Sequence, residues 1–278
     1  MASDPASHDQ QEQQNKTNKI LENIRMPIEF NAFPDTQWAP RNVDPYARHN
    51  RNYFSLKVKP FIPIKLNNNW TLLNYTVLNF ISRPWGEPEV SLGPAGVPVL
   101  SGWYPATRTG LSSISPTFVL SPMTGPNLVL GIGPSFSAPI GKYPLSTEQW
   151  SIGPALFAAF QKERWFVGAR VHNMWSFAGN QELNAVNLLI VRPHIQYGLN
   201  KNWFLISSPL ITNDWTKPSG EGWLLPLGGG VGRRFRMGLT RVNASIQAYY
   251  NAKRPSTMEE QLLGEWNIRT EFNIIIPR

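Results

Sequence analysis

In the stretch at 163–179, ERWFVGARVHNMWSFAG, the side chains from Trp165 to Trp175 fall into two alternating sets, one of which is mostly apolar. Successive side chains of a β-strand point to opposite faces, so this alternation predicts a strand with one apolar face. That face begins with Trp165 and ends with Trp175, and the opposite face carries Arg170 and His172. The sequence therefore predicts a strand with one apolar face and one basic face, and with a tryptophan at each end of the apolar face.

The spacing of the two tryptophans fits the height of a membrane. Ten residues of strand span roughly 33 Å, and a tilt of about 40–45° reduces this height to about 24 Å. The lipid-facing band of an outer-membrane barrel is about 25 Å tall and is flanked by aromatic girdles. Trp165 and Trp175 are thus predicted to mark the two interfaces, with Arg170 and His172 facing the lumen.

Period-two segments bounded by Gly, Pro, Asn and Asp recur from about residue 25 onward, which is typical of strands. We predict an all-β fold, a closed antiparallel transmembrane β-barrel of about 12 strands over residues 25–278. Residues 1–24 are polar and are predicted to form an arm that is disordered or folds into the lumen as a plug, with Glu22 or Glu29 meeting the basic wall of the lumen. The predicted strands are 25–33, 52–65, 70–82, 111–121, 127–138, 149–161, 164–176, 186–198, 202–213, 222–235, 240–252 and 264–277.

The predicted connections alternate between short turns and long loops without exception. Bacterial outer-membrane barrels have short periplasmic turns and longer extracellular loops. We therefore expect the long connections to face the cell exterior and both termini to face the periplasm. The long connections are 34–51, 83–110, 139–148, 177–185, 214–221 and 253–263.

Composition excludes several classes of protein. The chain has no cysteine, so disulfides, zinc–thiolate sites and a cysteine nucleophile are excluded. The formal net charge of +8 comes without a run of basic residues or a DNA-binding motif, so no nucleic-acid partner is expected. The N-terminus has no apolar leader, which we interpret as a mature chain with an added initiator Met.

The alternative fold is a soluble sandwich whose tryptophans belong to the core. Five prolines inside predicted strands favour it, because proline donates no ladder hydrogen bond and a closed barrel has no edge strand. If the barrel is correct, the strands should be irregular at Pro60, Pro134, Pro154, Pro193 and Pro209.

Several long motifs resemble a family of bacterial outer-membrane proteins. Its members are labelled transporters or "meta-pathway of phenol degradation" proteins, and some carry the label neuromedin U. The resemblance implies an outer-membrane β-barrel with an assumed channel role and poorly defined substrates. The motifs are NMWSFAG (173–179), NLLIVRPHIQYGLNKNWFLISSPLITNDW (187–215), PLGGGVGRRF (226–235), VNASIQAYYNAKRP (242–255) and FNIIIP (272–277), with weaker support from IGPSF (132–136) and KPFIPIKLNNNW (59–70).

The expected surroundings follow from this resemblance. The partners are the lipid bilayer with its lipopolysaccharide, a small-molecule solute and the outer-membrane insertion machinery. The chain departs from the usual pattern of such barrels at one point. They commonly end in an aromatic residue that is recognised during insertion, whereas this chain ends in IIIPR. Phe272 is the nearest aromatic side chain that could serve.

Taking the tryptophan-bearing face as lipid-facing assigns a strongly basic set of side chains to the lumen. Lipid-facing Arg or Lys costs about 2–4 kcal/mol at the midplane, which explains why charges point inward. These charges either form structural pairs, such as Glu271 with Arg269, or select anionic solutes. The candidate solute-binding residues are Lys57, Lys59, Arg170, His172, Arg192, His194, Arg241, Arg269 and Glu271.

An enzymatic constellation is not evident. His172 and His194 lack a nearby serine or acidic signature, and the glycines at 228–232 lack the Lys-Ser/Thr of a phosphate loop. We expect no metal, no cofactor and no catalytic residue. The predicted function is an outer-membrane channel or transporter for small anionic or aromatic-acid solutes. The alternatives are a barrel enzyme that acts on lipid and a structural or adhesive outer-membrane protein.

Overall fold

The computed structural model describes residues 20, 21, 23–38, 49–238, 240–255 and 263–277, and nearly all of these lie in strands. The strands are β1 (Ile24–Trp38), β2 (His49–Val58), β3 (Phe61–Lys65), β4 (Trp70–Leu92), β5 (Pro98–Pro122), β6 (Leu128–Pro139), β7 (Gln149–Lys162), β8 (Trp165–Gly179), β9 (Asn187–Gly198), β10 (Trp203–Ser207), β11 (Ile211–Asp214), β12 (Trp223–Met237), β13 (Thr240–Lys253) and β14 (Trp266–Ile276). Within the described residues, no helix is long and apolar enough to cross a membrane.

These segments close into one antiparallel barrel of 12 strands. Each strand pairs with the next along the chain, and β1 pairs with β14 to complete the ring. Two barrel strands are each split into two segments, β2 with β3 and β10 with β11. The predicted strand count and order are therefore confirmed.

The two faces of the wall follow the predicted alternation. Trp165 and Trp175 are 49% and 45% exposed on the outer face, and Val167, at the same parity between them, is 41% exposed. Trp165 also packs against Tyr197 of the neighbouring strand, with ring centroids 4.7 Å apart. On the inner face, Tyr249 is fully buried. The apolar girdle thus faces outward and the polar side chains fill the lumen.

The ladder is interrupted where the sequence placed prolines. Pro60 separates β2 from β3, and Pro209 lies in the gap between β10 and β11. At Pro193 the ladder to β8 is regular, but β9 has no paired residue between Val191 and Ile195 on its other side, opposite that gap.

Two further prolines lie at smaller gaps. The β5–β6 ladder lacks the pairs between Leu120–Ile132 and Thr117–Ser135, beside Pro134. The β7–β8 ladder lacks those between Ile152–Trp175 and Ala155–His172, beside Pro154. The missing N–H groups are therefore accommodated by local breaks in a closed wall.

The structure corrects the prediction that residues 83–110 form a long connection without strands. The structure shows a continuous two-stranded ribbon in which β4 and β5 pair from Trp70–Pro122 out to Leu92–Pro98, around a short 3-10 turn at Pro94–Gly96. The glycines and prolines of this segment favour an irregular loop. In the structure, cross-strand hydrogen bonds instead extend the hairpin beyond the barrel wall. Part of the connection predicted at 34–51 is also strand, because β1 runs to Trp38 and β2 starts at His49.

Candidate lumenal site

One side of the lumen is built without charge. The segments 71–81, 113–121, 129–137 and 151–159 of β4 to β7 contain no acidic or basic residue. Their inward side chains are mostly small, and Val129 and Ala155 are completely buried. Hydroxyl groups join neighbouring strands here, as between Thr117 and Ser135 at 2.8 Å. We call these four segments the uncharged half-wall.

The other side of the lumen carries the charge. We call the inward faces of β1, β2, β8, β9 and β12 to β14, with Lys59 at the β2–β3 break, the charged half-wall. All nine sequence-predicted site residues lie there: six line the lumenal cavity, Arg269 is buried, and Lys57 and His172 are half-buried. They are Lys57, Lys59, Arg170, His172, Arg192, His194, Arg241, Arg269 and Glu271. Their binding of solute stays a prediction.

Glu29 is the centre of an ionic network in the middle of the lumen. Its side chain is completely buried, and one carboxylate oxygen accepts a hydrogen bond from Lys59 Nζ at 2.6 Å. Arg192 of β9 donates to the same oxygen from a distant part of the barrel wall. Arg269 Nε lies 3.7 Å from the other oxygen, and Lys59 Nζ also reaches Glu271 at 2.9 Å. Glu29 therefore links strands that are far apart around the ring.

The network is anchored at the β10–β11 break. Ser208 lies in that gap, and its N–H donates to the hydroxyl of Tyr249 at 2.7 Å, while its carbonyl accepts from Arg269. Arg192 Nε donates to the Ser208 hydroxyl at 3.2 Å. Backbone groups released from the ladder are thus satisfied by lumenal side chains, as buried polar groups require. Because Lys59 adjoins the β2–β3 break, the network runs between the two split strands.

Sequence reasoning missed three participants of the lumen. Glu29 was considered only as a contact of the N-terminal arm, although its parity on β1 already places it inward. Tyr75 lies at an inward position of β4 and was not selected, because a lone tyrosine on an apolar strand carries no signal. Ser208 could not be found from alternation, since it bonds through the backbone of a strand break.

A cavity of 980 Å³ lies on the side of the network that faces the short turns. At its inner end the guanidinium of Arg170 lies 3.6 Å from the ring centroid of Tyr75, a cation–π contact. Phe166 packs edge-on against His194 with centroids 5.2 Å apart. The cavity therefore presents cations and aromatic rings side by side.

A second cavity, of 330 Å³, lies toward the long connections. It is bordered by Tyr53, Arg83 and the loop residues Tyr143 and Leu145, and no residue lines both cavities. Lys59, Arg192 and Glu271 of the Glu29 network line the first cavity, and no member of the network lines the second.

The chain enters the lumen just before β1. Ile20 is 2% exposed and packs in an apolar cluster with Phe61 and Leu73, while Leu21 lies against the same cluster. Residues 1–19 and Glu22 lie outside the described residues, so the predicted plug formed by residues 1–24, and the contact of Glu22 with the basic wall, stay predictions. The position of Ile20 places the end of that arm that joins β1 inside the barrel.

No group of three or more His, Cys, Asp or Glu side chains in the described part of the chain is arranged to hold a metal ion. The site is therefore best described as a lumen with an ionic centre, two compartments and a basic, aromatic-lined cavity.

Comparison with solved structures gives the class of barrel. The chain is similar to an outer membrane channel from Pseudomonas putida F1, with a TM-score of 0.60 at 10% identity over 92% of this chain and 96% of that one. It is also similar to the NanC porin, with a TM-score of 0.51 at 7% identity over 91% of this chain and all of that one (100%). No curated protein matches the chain. The protein is a closed barrel of the bacterial outer membrane, as expected, and it shares this fold with a channel and a porin.

The family is shown by sequence. The model of the family described as "Putative MetA-pathway of phenol degradation" matches residues 53–206, more than half of the chain. This match confirms the resemblance found in the motifs at 59–70, 132–136 and 173–179. The chain therefore belongs to the MetA-pathway of phenol degradation family of outer-membrane β-barrel proteins.

Proposed function

We propose that the barrel is an outer-membrane channel that passes small anions, with small aromatic carboxylates as its preferred solutes. The observation that carries this proposal is the cavity in which Arg170 stacks on Tyr75 beside Arg192 and His194. A carboxylate is recognised by guanidinium groups, and an apolar ring packs against aromatic side chains. Contacts with lipopolysaccharide and with the insertion machinery also remain predictions.

The charge of the lumen supports the preference for anions. Four cations lie around only two carboxylates at the centre of the network, which leaves an excess of positive charge. The cations are Lys57, Lys59, Arg192 and Arg269, and the carboxylates are Glu29 and Glu271. In a narrow passage with walls of low dielectric constant, such an excess concentrates anions and repels cations. The uncharged half-wall opposite gives the ring of an aromatic acid an apolar surface.

A solute that enters the first cavity meets the Glu29 network, because Lys59, Arg192 and Glu271 line this cavity. Its links are side-chain hydrogen bonds and ion pairs, so they can exchange without breaking the barrel wall. An arriving carboxylate offers Arg192 an alternative partner to Glu29, which gives anionic solutes an advantage over neutral ones.

The test is single-channel recording in planar bilayers across a salt gradient, followed by replacement of chloride with benzoate. We expect a reversal potential on the anion-selective side and a measurable benzoate current. Arg170→Ala, and Arg170→Ala with Arg192→Ala, should shift the reversal potential toward zero. Arg233→Ala is a matched control, because Arg233 lies on the outer face beside Trp203 and Phe235.

Two results would contradict the proposal. One is cation selectivity of the unmodified protein, and the other is an unchanged reversal potential after both arginines are removed. Because Arg192 also binds Glu29, the single Arg170→Ala variant separates a loss of anion preference from a disturbed network. Unaltered conductance in every charge variant would favour a structural role.

A further inference from the structure

Three arginines fall in one row at the short-turn end of the lumen. The strand register pairs Arg236 of β12 with Arg241 of β13. Arg241 pairs in turn with Ile275 of β14, and Ile275 pairs on its other side with Arg25 of β1. All four residues line the 980 Å³ cavity. The row is therefore an arc of inward guanidinium groups interrupted only by one isoleucine, and we call it the arginine arc.

Among the described residues, these arginines have no acidic partner. Within the described part of the chain, none of the three forms an ion pair with a carboxylate, and the buried Nε of Arg25 has no hydrogen-bond partner. The neighbouring Arg234 differs, because it donates to the carbonyl of Asn200 at 3.2 Å and lies over the ring of Phe204. Arg25 is partly buried, and a buried guanidinium nitrogen without a partner is costly. Arg236 and Arg241 are exposed at the mouth of the cavity, where their charges add to its positive potential. The arc therefore indicates a place for an anion.

Two amide side chains lie next to the arc, one step deeper in the cavity. Asn243 and Asn273 are directly paired across β13 and β14, and both line the cavity. The Oδ1 atom of Asn273 is buried without a hydrogen-bond partner. Because the two ends of an amide are assigned from the hydrogen-bond network, this buried group can equally present its NH₂ to a ligand in the cavity. An anion between the arc and these amides would thus meet donors from two directions.

We propose that Arg25, Arg241 and Arg236, together with Asn243 and Asn273, form an oxyanion-binding site at the short-turn mouth of the lumen. Its ligand is the carboxylate or phosphate group of a small soluble molecule, because the planar fork of arginine matches the oxygens of these groups. The donors of the site are guanidinium and amide groups, so it recognises the charged group of the solute. Phe61 borders the site, because it pairs with Arg25 and lines the same cavity. It binds whether or not the solute is transported, and it is separate from Arg170 and Tyr75 at the inner end of the cavity.

The test uses the purified full-length protein in a neutral detergent at low ionic strength, with inorganic phosphate as the probe in isothermal titration calorimetry. Phosphate lacks an aromatic body and therefore reports on charge recognition alone. We expect saturable binding with one phosphate per chain. Arg25→Gln combined with Arg241→Gln should weaken it at least about tenfold, because hydrogen bonds to charged groups contribute strongly to recognition.

A second variant keeps the test independent of folding losses. Ile275→Glu places a carboxylate between Arg25 and Arg241, so it should neutralise the arc and occupy the site from within. We expect this variant to fold and to bind no phosphate. Arg233→Gln, which removes one positive charge from the outer face of β12, should bind phosphate as the unmodified protein does.

Three outcomes would overturn the proposal. They are no saturable phosphate binding by the unmodified protein, equal affinity in the Arg25→Gln/Arg241→Gln variant, or loss of binding in Arg170→Gln with binding retained in that double variant. The last result would leave the channel proposal intact. Conversely, loss of phosphate binding in Ile275→Glu would support the site even if the bilayer recordings showed no anion preference.

Discussion

The uncharged half-wall fills its side of the lumen with glycine, alanine, serine and valine, whereas the charged half-wall fills its side with arginine, lysine and glutamate. The first achieves close packing by small size, as where the backbone of β6 approaches β5 so closely that a Cβ at Gly133 would lie 1.9 Å from the carbonyl oxygen of Phe118. The second relies on paired charges around Glu29. A lumen with two such sides is suited to an amphiphilic solute, because one surface receives the charged group and the other receives the apolar body.

The largest expected effect comes from breaking the charged half-wall at its centre. Glu29→Ala leaves Lys59, Arg192 and Arg269 without their shared carboxylate, and breaking a buried ionic network from one side costs about 3 kcal/mol or more. We expect a corresponding fall in the free energy of unfolding, measured by urea titration with tryptophan fluorescence in lipid vesicles.

The matched control for that variant is Glu271→Ala. Glu271 is paired with Lys59 alone among the described ion pairs and its side chain is 13% exposed, so its removal should cost clearly less. Equal losses in the two variants would mean that Glu29 is not the hub of the network.

A smaller effect is expected from placing a charge on the uncharged half-wall. Val129 is completely buried in the apolar cluster, so Val129→Glu should lower the free energy of unfolding by about 2 kcal/mol at neutral pH. The loss should shrink at acidic pH, where the introduced carboxyl group carries a proton and no charge.

Val129→Gln separates charge from size in the same position, and its stability should not depend on pH in this way. A pH-independent loss in Val129→Glu would show that the position is sensitive to volume and not to charge.

The smallest expected effect lies where the two half-walls meet. Tyr75→Leu removes the ring under Arg170, a contact that contributes about 1 kcal/mol in similar settings, but keeps the cation in place. We expect the ratio of benzoate to acetate permeability to fall while the preference for anions over cations is retained. Tyr75→Phe preserves the ring and should behave as the unmodified protein; a loss of benzoate preference in this variant too would assign the effect to the hydroxyl group.

Much of the wall could be predicted from sequence, and the reason is periodicity. Alternation with a period of two fixes which face a side chain occupies, so Lys59, Arg192 and Glu271 could be assigned to the lumen from parity alone. Tryptophans at strand ends fixed the height of the lipid band in the same way. These are local properties that a single strand carries in its own residues.

The centre of the site could not be predicted, because parity says nothing about which strands meet across a barrel. The pairing of Glu29 on β1 with Arg192 on β9 depends on the curvature of the closed wall and on the two strand breaks. The prediction of a loop at 83–110 was wrong for the opposite reason. The glycines and prolines of this segment indicated a loop, but pairing between β4 and β5 prevailed over that local preference.

The seam between β1 and β14, where the barrel closes, brings two carboxylates of the Glu29 network together. The register of β1 and β14 places Glu29 directly opposite Glu271, and two like charges in that position repel each other. Lys59 holds both carboxylates, so the first and last strands can meet in this register once its ammonium group lies between them. A slip by one residue would turn Glu29 into lipid. The ion pairs of Lys59 therefore favour this register of the seam over a shifted one, so the same side chain fills the lumen and stabilises the closure of the wall.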